Sequence, residues 1–341
     1  MKWMYIAILL LVVLCMPISV VRAHEVYVLD QDEIEHAFSV PTTNFIETIE
    51  AHFKQFLLSG LIGVVIVIAV LAISRMTLIE KFLDPFLHRI KHFAPLITQC
   101  TLGLALIASG YYNAAFGTEL PLQDLFGASA GIVRFCFILF GGCILFGIYP
   151  RLAASAAFVM FLSFLFQYKT YMLNYGTYFG EALALMLFGS GYVLFKVKIP
   201  TFEKNIEHHL HKYKFFMLRV FFGFSLIYAS VYAKYSHGGL ALSTIEKYHL
   251  TNYFPFDPSF IVLGAFIIEV LVGIFFIIGF EVRFTSLVFL SFLTLSILFF
   301  GEAIWPHIIL IGTSLAMFTH GYDRYTLGAK LSQRKDFEPV L

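Results

Sequence analysis

Charge is scarce in this chain. Of 341 residues, 23 are Lys or Arg and 22 are Asp or Glu, so charged residues make up 13%. A soluble fold carries roughly 25%. The net charge is only +1, which leaves no strongly basic surface for nucleic acid or acidic lipid. Cysteine is as sparse, with four in all and no CxxC. Cys15 falls in the leader described below, and Cys100, Cys136 and Cys143 sit in apolar runs. They read as small buried hydrophobes, although Cys136 and Cys143 share a helix face. The chain has no Walker loop, GxGxxG, HExxH or Asn-x-Ser/Thr sequon. ATP-driven transport, nucleotide binding and zinc proteolysis therefore lack their motifs. What fills the chain is apolar: 59% of residues are hydrophobic and the mean hydropathy is +0.82. Such a chain cannot hide its surface from water. Disorder, collagen and coiled coil are excluded, and its solvent is a lipid bilayer.

Residues 1–23 have the layout of a signal peptide. Lys2 gives the positive start, Met4 to Met16 the apolar core, and Val21-Arg22-Ala23 precedes a cut before His24. An external segment, 24–56, follows. A span needs about 20 apolar residues, and nine windows qualify or come close. They are 57–74, 94–112, 130–148, 152–168, 178–195, 215–234, 259–279, 283–300 and 304–319. All must be helices, because lipid offers no partner to backbone N–H and C=O groups. Asp257 and Pro258 form a start signal for the seventh. With an external mature N-terminus, nine crossings put the C-terminal tail, 329–341, in the cytoplasm. Lys and Arg then number 15 in cytoplasmic segments, including a basic linker at 196–214, and 4 in external ones. That asymmetry agrees with the positive-inside rule and with a bacterial-type inner (plasma) membrane.

The fold class read here is all-α. It comprises one extra N-terminal span, 57–74, followed by two tandem four-helix units at 94–195 and 215–328. The units share a pattern. Gly141, Gly147 and Arg151 recur as Gly273, Gly279 and Arg283 with identical spacing, each set leading into an apolar helix. Small residues there permit close helix approach. Each turn Arg is placed to bind the last carbonyls of the helix before it. The Gly147-Ile148-Tyr149-Pro150-Arg151-Leu152 turn and the closing run His320-Gly321-Tyr322-Asp323-Arg324-Tyr325-Thr326-Leu327 resemble the DoxX-like family. The resemblance is best over 215–328 and covers about two thirds of the chain. It implies a four-helix membrane unit. Some relatives are tied to quinone-linked sulfur oxidation or oxidative stress. It carries no catalytic residue onto any position here.

Ionisable groups within spans are costly, about 2.5–3.5 kcal/mol each, and so are the first candidates for ligand binding or proton relay. Arg134 and Glu181 lie at similar depth with opposite sign, which suggests an ion pair. Glu269 is mid-span with no Lys or Arg placed at its depth, so a neutral carboxyl or a wet cavity is expected. Glu302 and His307 flank the last span. Arg134, Glu181, Glu269 and His307 are expected around one pocket in the external half of the membrane, between the two units. Arg219 is expected to snorkel to headgroups. Ten tyrosines (Tyr111, Tyr112, Tyr168, Tyr171, Tyr175, Tyr178, Tyr232, Tyr235, Tyr248 and Tyr253) gather toward the external side. They form either an aromatic belt or a cleft for a planar ligand such as a quinone. His24, as an amino terminus, and His36 are candidate copper ligands; otherwise 24–56 starts an amphipathic surface helix. His208, His209 and His211 read as a solvated face. Three functions fit. They are a redox accessory protein that binds a quinone or other small hydrophobic ligand beside a membrane oxidoreductase, a small-solute or lipid carrier, and an assembly subunit.

Overall fold

A computed structural model describes residues 29, 31–40, 42–74, 77–189, 213–323 and 325–327. Residues 1–23, read above as a signal peptide, His24, the histidines of the 196–214 linker and the 329–341 tail lie outside the described residues. Everything described is helix, turn or loop apart from one isolated bridge between Ala114 and Pro121. The long elements are α1 (Gln31–Ser39), α2 (Phe45–Ala51), α3 (Phe53–Ser74), α4 (Thr77–Lys91), α5 (Ala94–Tyr112), α6 (Ala130–Phe146), α7 (Pro150–Tyr168), α8 (Gly176–Phe188), α9 (Lys214–Ser230), α10 (Gly238–Lys247), α11 (Pro258–Ile278), α12 (Val282–Phe300) and α13 (Ile308–His320).

Among the described residues, seven helical runs are long and apolar enough to cross a membrane. This is a multi-pass membrane protein. The count differs from nine windows for a physical reason. A helix of 13 residues rises only about 20 Å, short of a ~30 Å hydrocarbon layer. α8 and α13 are that short. α8 continues the Pro150–Leu187 run through a 3₁₀ turn, Lys169–Tyr175. α13 is preceded by a separate 3₁₀ turn, Trp305–His307, that holds Pro306.

Two helix pairs carry the bundle. α5 crosses α6 where Gly103 meets Gly141, and α9 crosses α11 where Gly223 meets Gly273. At each crossing a Cβ would strike the partner's backbone. Next to the first crossing, Gln99 Nε2 donates to the Ile144 carbonyl at 2.8 Å. Next to the second, Arg219 Nη1 donates to the Phe276 carbonyl at 3.3 Å. α6 and α11 then end alike. Gly147 and Gly279 both have φ 69°, and their turns close by 6→1 bonds, Ile148 N–H to Cys143 O and Phe280 N–H to Phe275 O. Tyr149 and Glu281 follow with positive φ, and α7 and α12 begin. α8 packs on α9 through Gly180 against Phe221, while α13 packs on α5 through Gly312 against Thr101.

The turn arginines behave differently from expectation. Arg283 Nε donates to Phe318 O near the end of α13, and Arg151 packs against Gly189 just past α8. Each arginine sits in the first turn of its own helix, and its side chain reaches the end of a later helix. Lys214 Nζ reaches Gly189 O at 3.2 Å and Lys91 Nζ reaches Tyr322 O at 3.5 Å. Arg219 does not snorkel. It is 1% exposed and 3.5 Å from Asp323, because the segment after α13 folds over it and pins Leu327 N–H to Gly279 O. Tyr322 donates to Glu281. Burial and that carboxylate push its phenol well above the ordinary value, so it remains a donor.

Outside the bundle, Asn44 caps α2, accepting from Ile46 N–H and donating to Glu47. α1 lies on α10, where Gly239 admits the Ala37 carbonyl and Lys247 pairs with Glu33 at 2.6 Å. The described residues between 29 and 52 thus form two short docked helices rather than one surface helix. α3 is exposed along nearly its whole length, with Val70 a buried exception. Asp257 caps α11 as expected, accepting from Ser259 N–H at 2.9 Å.

Candidate functional site

A cavity of about 200 Å³ opens among α8, α9, α11, α12 and the Trp305–His307 turn. Its wall is mainly apolar, with Phe289, Phe292 and Leu293 from α12 and Leu226 from α9. Tyr171 and Tyr175 come from the 3₁₀ turn, Tyr178 from α8, and Tyr232 from the turn after α9. Tyr171 and Tyr232 meet edge to face at 5.2 Å, and Tyr175 stacks on Phe116 at 5.2 Å. The tyrosines therefore divide. These four build a cleft, while Tyr111, Tyr112, Tyr235 and Tyr253 stay exposed on the outer surface.

Two ionisable pairs face this cavity. Lys234 Nζ lies 3.0 Å from Glu269 Oε2. The expectation that Glu269 has no cation at its depth is overturned by the chain's path. After Ser230, α9 runs on as a π-helical turn, Val231–Ser236, which widens the helix locally. Ser230 Oγ reaches the Phe266 carbonyl of α11 at 3.5 Å, and Lys234, four residues on, points to the same helix. Lys234 is 7% exposed. Sequence reasoning placed it outside the membrane, because a Lys that ends an apolar run resembles an interfacial residue. Its spacing from Ser230 and Leu226 was the available signal.

The second pair is His307 with Glu302. Nε2 lies 3.0 Å from Glu302 Oε2, and Ser296 Oγ donates to Glu302 Oε1 at 3.2 Å. His307 Nδ1 is 2.9 Å from the Ala303 carbonyl. A carbonyl only accepts, so Nδ1 carries hydrogen. Of the carboxyl groups near it, His307 meets Glu302.

Arg134 and Glu181 do not meet. Arg134 is exposed on α6 and donates from Nε to Gly110 O, near the C-terminal end of α5, at 2.9 Å. Glu181 is fully buried on α8 and shares a 2.5 Å hydrogen bond with the Thr313 hydroxyl of α13. Equal depth fixes height along the membrane normal but says nothing of rotation about each helix. The cavity wall includes Glu269 and His307 and omits Arg134 and Glu181. Cys100, Cys136 and Cys143 are free thiols. Among the described residues no group of three or more His, Cys, Asp or Glu is placed to hold a metal. His36 lies exposed on α1, and its suggested copper partner His24 lies outside the described residues.

The cavity offers a mainly apolar, ring-lined space bordered by a cation, one carboxyl group and an imidazole, with Glu302 against the imidazole. No family model, curated protein or solved structure matches the chain.

Proposed function

We propose that this protein binds a small, planar, hydrophobic ligand with oxygen substituents, a quinone or a molecule like it, within the membrane. The cavity carries this reading. Its aromatic and aliphatic walls suit a ring. Lys234 supplies a donor for a ring oxygen with Glu269 beside it, and His307, held by Glu302 and Ala303, completes the wall. The role is that of a redox-associated accessory protein beside a membrane oxidoreductase, in keeping with the resemblance to the DoxX-like family.

The architecture proposed for it is two tandem four-helix units related by an approximate two-fold axis along the membrane normal. Paired observations favour this. Gln99 to Ile144 corresponds to Arg219 to Phe276, and Arg151 at Gly189 to Arg283 at Gly321. The contacts between units are reciprocal, α8 on α9 through Gly180 and α13 on α5 through Gly312. Such exchange is what a two-fold interface requires. The end bearing Lys91, Arg151, Lys214, Arg219 and Arg283 is assigned to the cytoplasm by its positive charge. The tyrosine-lined cavity then lies toward the external face of an inner membrane, behind a cleaved signal peptide.

Full-length protein purified in mild detergent tests the ligand. Organic extracts analysed by mass spectrometry are expected to contain quinone well above the level from an unrelated membrane protein of the same host. Ser296→Phe, which fills the cavity, should remove it. Background quinone, together with no quenching of tyrosine fluorescence by added short-chain quinone, overturns the reading. A second reading, a proton-coupled carrier, is favoured by the position of the cavity between the two proposed units. Proton-driven uptake into vesicles would select it.

A further inference from the structure

Glu181 belongs to neither pair in the cavity, yet it is the most deeply buried carboxyl among those discussed, at 0% exposure. A carboxylate in such a place costs several kcal/mol unless a cation or several donors meet it. The groups facing it are polar or acidic. Thr313 of α13 bonds it directly, Tyr178 on its own helix acts on it, and Thr177 lies one turn before it on the same helix. His307 sits two turns away at the start of α13 and is held by Glu302 and Ala303. Among the described residues no Lys or Arg pairs with Glu181.

Hydrogen counting around Thr313 is more telling. Its Oγ1 lies 2.7 Å from the Ile309 carbonyl and 2.5 Å from Glu181 Oε1. Two contacts at that range need two protons. A threonine hydroxyl owns one, and a carbonyl owns none. A neutral Glu181 carboxyl would supply the second proton. Its other oxygen, Oε2, is buried with no hydrogen-bond partner, and so is the hydroxyl oxygen of Thr177. Thr177 precedes Glu181 by four residues and therefore shares its helix face. Thr177 and Tyr178 line the cavity, and Glu181 is the next turn inward.

We propose that Glu181 is a proton-binding site in the membrane interior, loaded and emptied through the cavity by way of the Thr177 hydroxyl. On unloading, the carboxyl turns its proton away from Thr313 and passes it through one water to Thr177 Oγ1, while Thr177 passes its own to a water or ligand oxygen in the cavity. The net change is one proton moved and one carboxylate left behind, with no electron transferred. The carboxylate then leaves Thr313 one proton for two contacts, so either its bond to Glu181 or its bond to Ile309 is lost. Proton loss at Glu181 thereby loosens α8 from α13. The proposal rests on the shape of the cavity and not on what fills it, so it stands if no quinone is found.

Infrared spectroscopy of the full chain in lipid vesicles, with no ligand added, tests it. Wild type at neutral pH is expected to show the carbonyl stretch of a neutral buried carboxyl. Glu181→Gln should remove that band, and Thr313→Val, which keeps the volume, should move it. In heavy water the band should shift as the proton exchanges, and Thr177→Val should slow that exchange by about tenfold or more. No difference between wild type and Glu181→Gln overturns the neutral site. A band unmoved by Thr313→Val overturns the hydrogen assignment. Exchange untouched by Thr177→Val overturns the route. If Glu181→Gln fails to fold, the two threonine variants still decide.

Discussion

The helix pairs α5/α6 and α9/α11 share a glycine crossing, a side chain on a penultimate-turn carbonyl and a left-handed closing turn, yet their interiors differ. The interior beside α5 and α6 is packed solid. Phe116, Phe137, Phe161 and Phe164 are all fully buried and touch one another edge to face or tilted. The interior beside α9 and α11 is hollow. Counted from the paired glycines and arginines, Phe137 stands where the second half has Glu269, and Phe164 where it has Ser296. Tyr175 stands where it has His307. The same frame closes over rings in one half and over ionisable groups and space in the other. Backbone contacts at glycines set the frame, and a few side chains decide whether it is filled.

That contrast can be broken from either side. Phe164→Ser should hollow the filled half and cost about 3–5 kcal/mol, the range for a fully buried aromatic cut back. Thermal denaturation in detergent measures it. Lys234→Met should cost a similar or smaller amount, up to about 3–5 kcal/mol, by stranding the Glu269 carboxylate. The double variant with Glu269→Leu should recover most of the loss, and failure to recover would mean the pair is not coupled. Ser296→Phe should fill the open half at a modest cost of about 1–3 kcal/mol, with loss of ligand binding far exceeding loss of stability. Arg134→Ala should do least, about 0.3–1 kcal/mol, since it removes one exposed cation from a helix C-terminus.

Much of the fold was legible because lipid is a severe solvent. The 94–112 window coincides with α5, and 152–168, 259–279 and 283–300 each fall within two residues of α7, α11 and α12. Position along the membrane normal is written in the alternation of apolar runs and charged loops. Rotation about each helix axis is not, because these helices are apolar on most faces and have no stripe to orient them. Arg134 and Glu181 were matched by depth and turned out to face different ways. Glu302 and His307, five residues apart across a turn, meet because a short turn leaves them little freedom to rotate apart. Lys234 was missed because a π-helical turn, invisible in composition, carries it inward.

The five cations at the basic end have a consequence for how the chain reaches this state. A polypeptide entering a bilayer has no assembled neighbours, so Lys91, Arg151, Lys214, Arg219 and Arg283 begin as hydrated charges that resist translocation and retain their loops on one side. Once the helices gather, Lys91, Lys214, Arg219 and Arg283 find carbonyls near helix ends and Arg151 packs against Gly189. A retention signal during biogenesis becomes a clasp in the finished protein. Reversing the orientation of one hairpin would then do double harm, since it would misplace the loop and also leave a helix terminus on the opposite side without its cation.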